Sequence, residues 1–365
     1  EGPPTANGLP GIHHVLSRTI KDLVCRYKTM QGFRVERKAG WDTQGLPVEV
    51  EVEKTLGIKS KSEIVEFGEV RFNQECKNSV FKYLREWEEL TARMGYWIDL
   101  KNAYITFHNE YIESVWWALK KFFDAGLIYK GYKILPFCPV CESPLSSHEV
   151  AQGYQDLKDP SVYAKFRITN GPHAGSDFLV WTTTPWTLPS NAALAVNPEQ
   201  TYVKITTAGG ESLILAKPRL EAVTEEYTIA EEISGKDLEN TEYEQLFKFL
   251  KHDGKAFFVV PGDFVTMEDG TGIVHIAPAF GEDDYNTGLK YSLPVFKAVG
   301  KDGKFTEAVT PYSGMNFKEA DLQIINDMKQ SGRLYRKEMF VHSYPHCWRH
   351  HVPLMYFATD SWFVN

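Results

Sequence analysis

The sequence predicts an α/β protein: part of a wound α/β half first, then a helical stretch, then a compact, barrel-like β domain. Three observations predict it. Leu16, Ile20, Leu23, Tyr27 and Met30 recur at helical spacing and stop at Gly32. Phe33 and Val35 then alternate with polar residues and run into the glycine-punctuated turn Gly40-Trp41-Asp42-Thr43-Gln44-Gly45-Leu46-Pro47, giving the order loop, helix, strand, loop. From about Gln152 to residue 300 the texture changes to short β-rich runs separated by Asn170-Gly171, Gly209-Gly210 and Asp269-Gly270.

Each element follows from its residues. Residues 1–11 read as a Pro/Gly loop, and a helix begins after it. Phe72, Cys76, Val80, Leu84, Trp87 and Met94 predict one helix over 72–94, ended by Gly95. Ile112, Val115, Trp116, Leu119, Phe122 and Phe123 predict another over 109–125, stopped by Gly126. Both aromatic stripes are expected to be core. Strands are expected at 162–168, 178–183, 202–205, 213–215, 257–260 and 272–276, interrupted by an acidic helical insertion at about 218–252.

The 365 residues suggest two or three domains. A 43% hydrophobic and 24% charged composition excludes a disordered chain. A net charge of −8 excludes a wholly basic nucleic-acid wrapper, though not a local basic patch. Five cysteines, an odd number, argue against a disulfide scaffold. No apolar run approaches the ~18 residues of a membrane span. The first residue is Glu1 and no signal peptide precedes it, so a processed chain or a fragment is expected.

Three constellations carry chemistry. Gly11-Ile12-His13-His14 opens a helix, where imidazoles, free N–H groups and the helix dipole suit a phosphate; alone, it is as well explained by an exposed capping turn. Asp42 sits in a tight Gly-flanked loop that suits a substrate cation, or simply an Asx turn. Cys138-Pro-Val-Cys141 and Cys347-Trp-Arg-His350 together offer Cys138, Cys141, Cys347 and His350, a closed set for structural Zn²⁺, with His346 and His351 as rival ligands. A redox pair would open a helix after a strand, whereas Ser143 and Pro144 follow at once. Cys25 and Cys76 read as buried hydrophobes. In the β domain, Thr182, Thr183, Thr184 and Thr187 fall within six residues, and the run 272–285 carries Glu282, Asp283 and Asp284. The threonines are also ordinary strand formers.

Pro3-Pro4-Thr5-Ala6-Asn7-Gly8, the Gly11-Ile12-His13-His14 stretch and Gly40–Glu49 resemble the class I aminoacyl-tRNA synthetases, and within them the isoleucine branch, over essentially the whole chain. The resemblance implies a partial Rossmann-type catalytic domain (1–55), a helical connection with a zinc knuckle (56–151), an inserted β-barrel-like editing domain (152–340), and a second knuckle returning to the catalytic domain (341–365). It implies isoleucine-tRNA ligase activity with hydrolytic editing of Val-tRNA. It gives His13 and His14 to the ATP phosphates, and Asp42, Gln44, Pro3 and Trp362 to the isoleucine site. In editing it assigns Asp284 to the ammonium of the misattached amino acid and His275 to specificity. Thr183 and Thr184 fall to the ribose and a water, and Thr182 and Asn191 to substrate binding in the editing site. Structural Zn²⁺, ATP with Mg²⁺, isoleucine and its tRNA follow as cofactors and partners, in a cytoplasmic monomer without a membrane partner.

Two departures stand out. The family's His-x-Gly-His order becomes Gly11-Ile12-His13-His14, and Gln44 replaces a usual histidine. His350 stands where relatives carry a fourth cysteine. No Lys-Met-Ser-Lys-Ser signature occurs, so an incomplete portion that does not aminoacylate by itself is expected. A stand-alone deacylase of mischarged tRNA and a non-catalytic tRNA-binding fragment are the alternatives. Two sites make physical sense because one methylene discriminates by only ~1–3 kcal/mol, and the isoleucine–valine pair is itself the standard example of that limit.

Overall fold

Strand Lys38–Trp41 pairs in parallel with Asp99–Ile105, with Gly40 opposite Tyr104. Glycine is needed there, because a Cβ on Gly40 would collide with the Tyr104 ring. The computed structural model describes residues 4–59 and 61–365, so Pro3 lies outside the described residues. The chain divides into two units, one running to Lys130 and rejoined by Trp362–Asn365, the other Gly131–Ser361.

In the first unit the helix Ile12–Met30 forms as its periodicity predicts, but with the opposite face inward. Leu16, Ile20, Leu23, Tyr27 and Met30 are each more than half exposed, whereas Arg18 and Asp22 are buried. Asp22 accepts hydrogen bonds from Arg26 at 2.6 Å and from the Trp97 amide at 3.2 Å, and Arg26 stacks 4.1 Å over the Trp97 ring. The helix Asn109–Asp124 likewise buries none of its residues, with Trp116, Trp117 and Phe123 more than 60% exposed. The expectation that the 109–125 stripe is core is therefore corrected, whereas Phe72, Val80 and Trp87 of the 72–94 stripe are buried.

The predicted helix over 72–94 is two helices, Glu69–Ser79 and Leu84–Met94. The break has a cause: the Tyr83 amide donates to the Ala6 carbonyl at 2.9 Å, and is lost to the helical ladder. The strand expected at Phe33 and Val35 starts later, at Lys38. The Phe33 amide is spent closing the preceding helix on the Lys28 carbonyl at 3.1 Å. Cys25 and Cys76 are partly exposed rather than buried.

The second unit is β-rich, as predicted. Its larger sheet has the order Tyr227–Ser234, Thr201–Thr207, Ser212–Ala216, Asp177–Thr182, Tyr154–Arg167, Leu334–Pro345. A smaller sheet places Ala193–Val196 between Phe258–Pro261 and Ile273–Ile276. The turn glycines Gly171, Gly210 and Gly270 have φ of 70°, 82° and 68°, the left-handed backbone those turns require. Between the sheets Val162, Phe166, Phe178, Val180 and Leu194 are fully enclosed. The helix Phe317–Gln330 closes the core, with Phe317 edge-on to Trp186 at 4.8 Å.

The acidic helical insertion expected at 218–252 is a correction. Short 3₁₀ turns at Lys217–Ala222 and Gly235–Leu238 flank the edge strand Tyr227–Ser234. Ile233 enters the core while Glu231 and Glu232 stay outside, so the charges mark an edge strand.

Candidate functional sites

The N-terminal loop is fastened by its own backbone. The Ala6 and Gly8 carbonyls accept from the Tyr83 amide and Trp87 Nε1, both at 2.9 Å, and Asn7 donates to the Pro47 carbonyl at 3.0 Å. His14 Nδ1 accepts the Gly11 amide at 2.9 Å and its ring lies edge-on to Trp87 at 4.8 Å. Burial first, then His13 and Arg18, hold the His14 pKa below the ordinary value. The His13 ring is 3.8 Å from that of His14. A Cβ on Gly11 would approach the His13 imidazole to 2.8 Å, so the missing side chain at 11 and the added ring at 13 fit each other.

Asp42 is partly exposed, its amide bonded to the Pro4 carbonyl at 2.9 Å and its carboxylate facing the Gln44 amide at 3.4 Å. Gln44 itself is exposed. Thr43 anchors the loop, its hydroxyl 2.9 Å from that of Thr106. Trp362 lies on the wall of an apolar cavity of about 580 Å³ with Trp116, Leu119, Phe123 and Ile128, a wall to which Asp42 and Gln44 do not belong.

In the second unit the threonine run leaves its strand at Thr182 and turns into the 3₁₀ helix Pro185–Ser190. The turn aligns hydroxyls in a chain. Thr182 is 3.1 Å from Thr184, Thr184 is 3.2 Å from Thr187, and Thr187 is 2.9 Å from His275 Nε2. Burial alone pushes the His275 pKa down to about 4, so the imidazole is neutral. Thr183, Thr184 and Thr187 line a cavity of about 310 Å³ together with Trp186, Phe280 and His342. Asn191 does not line it; its amide is spent on the Ala193 carbonyl at 2.8 Å and the Tyr243 hydroxyl at 2.7 Å.

Asp284 sits in the first turn of the helix Glu282–Tyr291. Its Oδ2 accepts the Ala277 amide at 2.8 Å, which fixes the carboxyl next to the end of the His275 strand. Burial, only partly offset by that amide, pushes its pKa up to about 7. An unfolded Asp loses its proton near ~3.9. Between those values the folded state keeps a proton that the unfolded state has shed, so stability falls as pH rises from about 4 through about 7. Asp284→Asn is expected to match wild-type thermal stability near pH 4 and to exceed it above pH 7, by roughly 1–2 kcal/mol after allowing for residual solvent contact. Unfolding midpoints at the two pH values check this; an equal shift at both would count against it.

The strand Leu334–Pro345 adds a group that sequence reasoning passed over. His342 Nε2 lies 3.1 Å from Asp159 Oδ2, and Lys318 donates to the same oxygen. Asp159 is buried, and Lys318 Nζ sits 4.4 Å over the Tyr344 ring. The signal in the sequence is the alternation of Phe340, His342, Tyr344 and His346, a strand pattern that the cysteine motif beside it overshadows.

The two knuckles meet. One donor atom each from Cys138, Cys141, Cys347 and His350 lies within 4.8 Å of all the others. Cys141 Sγ is 3.8 Å from Cys347 Sγ and 3.2 Å from His350 Nδ1. A tetrahedral ion with ~2.3 Å metal–sulfur bonds has ligand–ligand edges of about 3.8 Å, so the set fits a metal of that kind. His346 is otherwise engaged, its Nδ1 on the Tyr344 carbonyl at 2.9 Å. Glu149 braces the centre by accepting from Arg349 and from Trp348 Nε1. Where the chain comes in and goes out, Gly153 and His346 touch backbone to backbone, and a Cβ on Gly153 would collide with the His346 carbonyl.

No helix among the described residues is long and apolar enough to cross a membrane. A family model described as tRNA synthetases class I (I, L, M and V) matches residues 1–365. The isoleucine–tRNA ligases of Clostridium acetobutylicum and Clostridium novyi are 54% and 55% identical over all of this chain, which covers 35% of each. That of Thermus thermophilus is 51% identical, again with 35% of its length covered. The chain thus spans about a third of the length of the curated relatives it matches. The cytosolic leucyl-tRNA synthetase editing domain of P. knowlesi aligns with 53% of this chain and 99% of its own at 14% identity and a TM-score of 0.39, too slight a likeness to bear on the fold.

Proposed function

Because this chain belongs to the class I tRNA synthetases of the I, L, M and V group, we propose that it is a portion of an isoleucine–tRNA ligase, carrying part of the synthetic site and a hydrolytic site that clears valine from the tRNA. One observation carries the hydrolytic reading: threonine hydroxyls in the wall of a cavity of about 310 Å³ form a chain that ends, behind the wall, on a buried neutral histidine. Identity of 51–55% to isoleucine–tRNA ligases over the whole chain supports the choice of amino acid.

The residue roles follow from their chemistry. Thr183 and Thr184 present hydroxyls that donate to and accept from a ribose and a water. Thr182 orders the Thr184 hydroxyl from behind, and Thr187 orders it from within the cavity wall. Asp284, fixed by the Ala277 amide, offers a carboxylate to the substrate ammonium. Binding of that cation favours the ionised carboxyl, against the burial that pushes its pKa up. Asn191 serves by tying Tyr243 to Ala193, a supporting role in place of direct substrate contact. His275, buried and neutral behind Thr187, acts on the space for the amino-acid side chain through the Thr187 hydroxyl that it holds in the cavity wall. His275→Ala is expected to begin hydrolysing Ile-tRNA while keeping Val-tRNA hydrolysis, since one excluded methylene is worth only ~1–3 kcal/mol. Single-turnover hydrolysis of the two esters decides, and continued rejection of Ile-tRNA would remove His275 from this role.

The synthetic site draws on the first unit. His13 and the helix start with His14 suit ATP phosphates, Asp42 the isoleucine ammonium, with Gln44 beside it, and Pro3 and Trp362 the apolar side chain. Mg²⁺ arrives with the ATP. Zn²⁺ held by Cys138, Cys141, Cys347 and His350 supplies no chemistry to the reaction; it fastens the incoming and outgoing chain together. On this reading 1–55 belongs to the catalytic domain, 56–151 and 341–365 to the connections, and 152–340 to a barrel-like editing domain. The parent enzyme is expected to catalyse isoleucine-dependent ATP–pyrophosphate exchange and to deacylate Val-tRNA. Failure of the second with success of the first would sink the hydrolytic reading alone.

A further inference from the structure

We propose that His342, oriented by Asp159, is the general base that activates water in the hydrolytic pocket. The inference rests on the editing reading above and goes beyond it. Ester hydrolysis needs a group that takes a proton from water, and the residues named so far do not supply one. A threonine hydroxyl is too weak a base. His275 has its Nε2 on Thr187, is absent from the cavity wall, and has its basicity cut by burial. Asp284 is committed to the substrate ammonium. Tyr344 and Tyr356 line the cavity, but burial raises both phenols above their ordinary range and Tyr344 donates to the Leu354 carbonyl at 2.7 Å.

His342 meets the requirements that these groups fail. It stands in the same cavity wall as Thr183 and Thr184. Asp159 Oδ2, 3.1 Å from Nε2, holds the proton on that nitrogen and leaves the Nδ1 lone pair as the base. Asp159 is itself buried, and Lys318 reaches over the Tyr344 ring to share its Oδ2. The remaining acid nearby, Asp321 on the Lys318 helix, is driven up to about 8 by burial and so stays protonated at neutral pH. Lys318 thus holds from the other side the same Asp159 oxygen that faces His342 Nε2, and fixes the carboxylate that orients the ring.

The step balances as follows. Nδ1 of His342 takes a proton from water as its oxygen attacks the ester carbonyl carbon. The tetrahedral intermediate collapses with cleavage of the bond to the ribose oxygen. The imidazolium returns its proton to that oxygen, releasing valine and tRNA with a free terminal hydroxyl. Water is the only co-reactant.

The test uses the full-length parent enzyme and tRNA charged with valine. His342→Gln is expected to lower kcat for deacylation about 100-fold or more, the usual contribution of a positioned base, with KM changed less than about threefold. In His342→Ala, added imidazole is expected to restore part of the rate, and in Asp284→Ala it is expected to restore none. Asp159→Asn should lower kcat by a smaller factor. Should that buried change unfold the protein, the two His342 variants decide alone. A His342→Gln enzyme at the wild-type rate, or one with raised KM and His342→Ala unrescued by imidazole, overturns the assignment while leaving the editing reading intact. A wild-type parent that cannot deacylate Val-tRNA overturns both.

Discussion

Asp284→Ala is expected to slow deacylation of Val-tRNA about 10- to 150-fold. The substrate presents a free ammonium, and in the variant that cation enters a partly desolvated pocket without its carboxylate. Losing a charge-assisted hydrogen bond there costs roughly 1.5–3 kcal/mol. If the contact persists into the transition state, the whole cost falls on kcat/KM. Single-turnover hydrolysis in the parent enzyme measures it. The same variant should lose whatever Ile-tRNA hydrolysis the His275→Ala change opens, because both esters carry the same ammonium. Asp284 is half-buried and holds the Ala277 amide, so the midpoint of thermal unfolding must be recorded alongside. Wild-type rates would leave the residue without a substrate role.

The second large effect concerns the knuckles. The parent protein is expected to hold about one Zn²⁺ at this centre, and Cys141→Ser to lose it or bind it far more weakly, because a closed structural site needs all four ligands. Folding and metal binding are coupled where the ligands come from distant parts of the chain. A strong chelator should therefore lower the unfolding midpoint of the wild type, by the equivalent of several kcal/mol, and leave that of Cys141→Ser nearly unmoved. Glu149, which reaches from one knuckle's neighbourhood to Trp348 and Arg349 of the other, cannot replace the ion. Metal analysis and thermal unfolding with and without chelator check both statements. A metal-free wild type with an unchanged midpoint would remove zinc from the account.

Legibility in the sequence followed locality. The strands of the second unit and their turns were readable because alternation and glycine positions are set within a few residues. The four metal-type ligands were readable too, since each knuckle is four residues long. Contacts between distant segments were not. Nothing near Tyr83 announces that its amide belongs to Ala6, so the helix through it read as continuous. The stripe of Leu16, Ile20 and Leu23 is truly periodic, yet periodicity cannot say which face is covered in this chain; the Asp22–Arg26–Trp97 cluster took the inner face instead. The 218–252 stretch reads as helix because glutamates and lysines favour helix by composition, and the strand Tyr227–Ser234 gives no alternation to oppose it, since Ile233 is its only buried residue. Asn191 was legible as a polar residue beside the threonines, but its saturation by Tyr243 was not. His342 needed both a strand register and a partner nearly two hundred residues away in the chain.

Gly153 and His346, pressed backbone to backbone, make the stretch between them a closed ring in all but covalent bond. Tyr154 and Pro345 are already register partners in antiparallel strands. A segment whose two ends coincide can be lifted from one host and grafted into another without stretching either. It can also be cut at a surface loop and rejoined across the old ends, provided the new junction is short. Such transposition asks little of the host: the gap it leaves is one hydrogen bond wide.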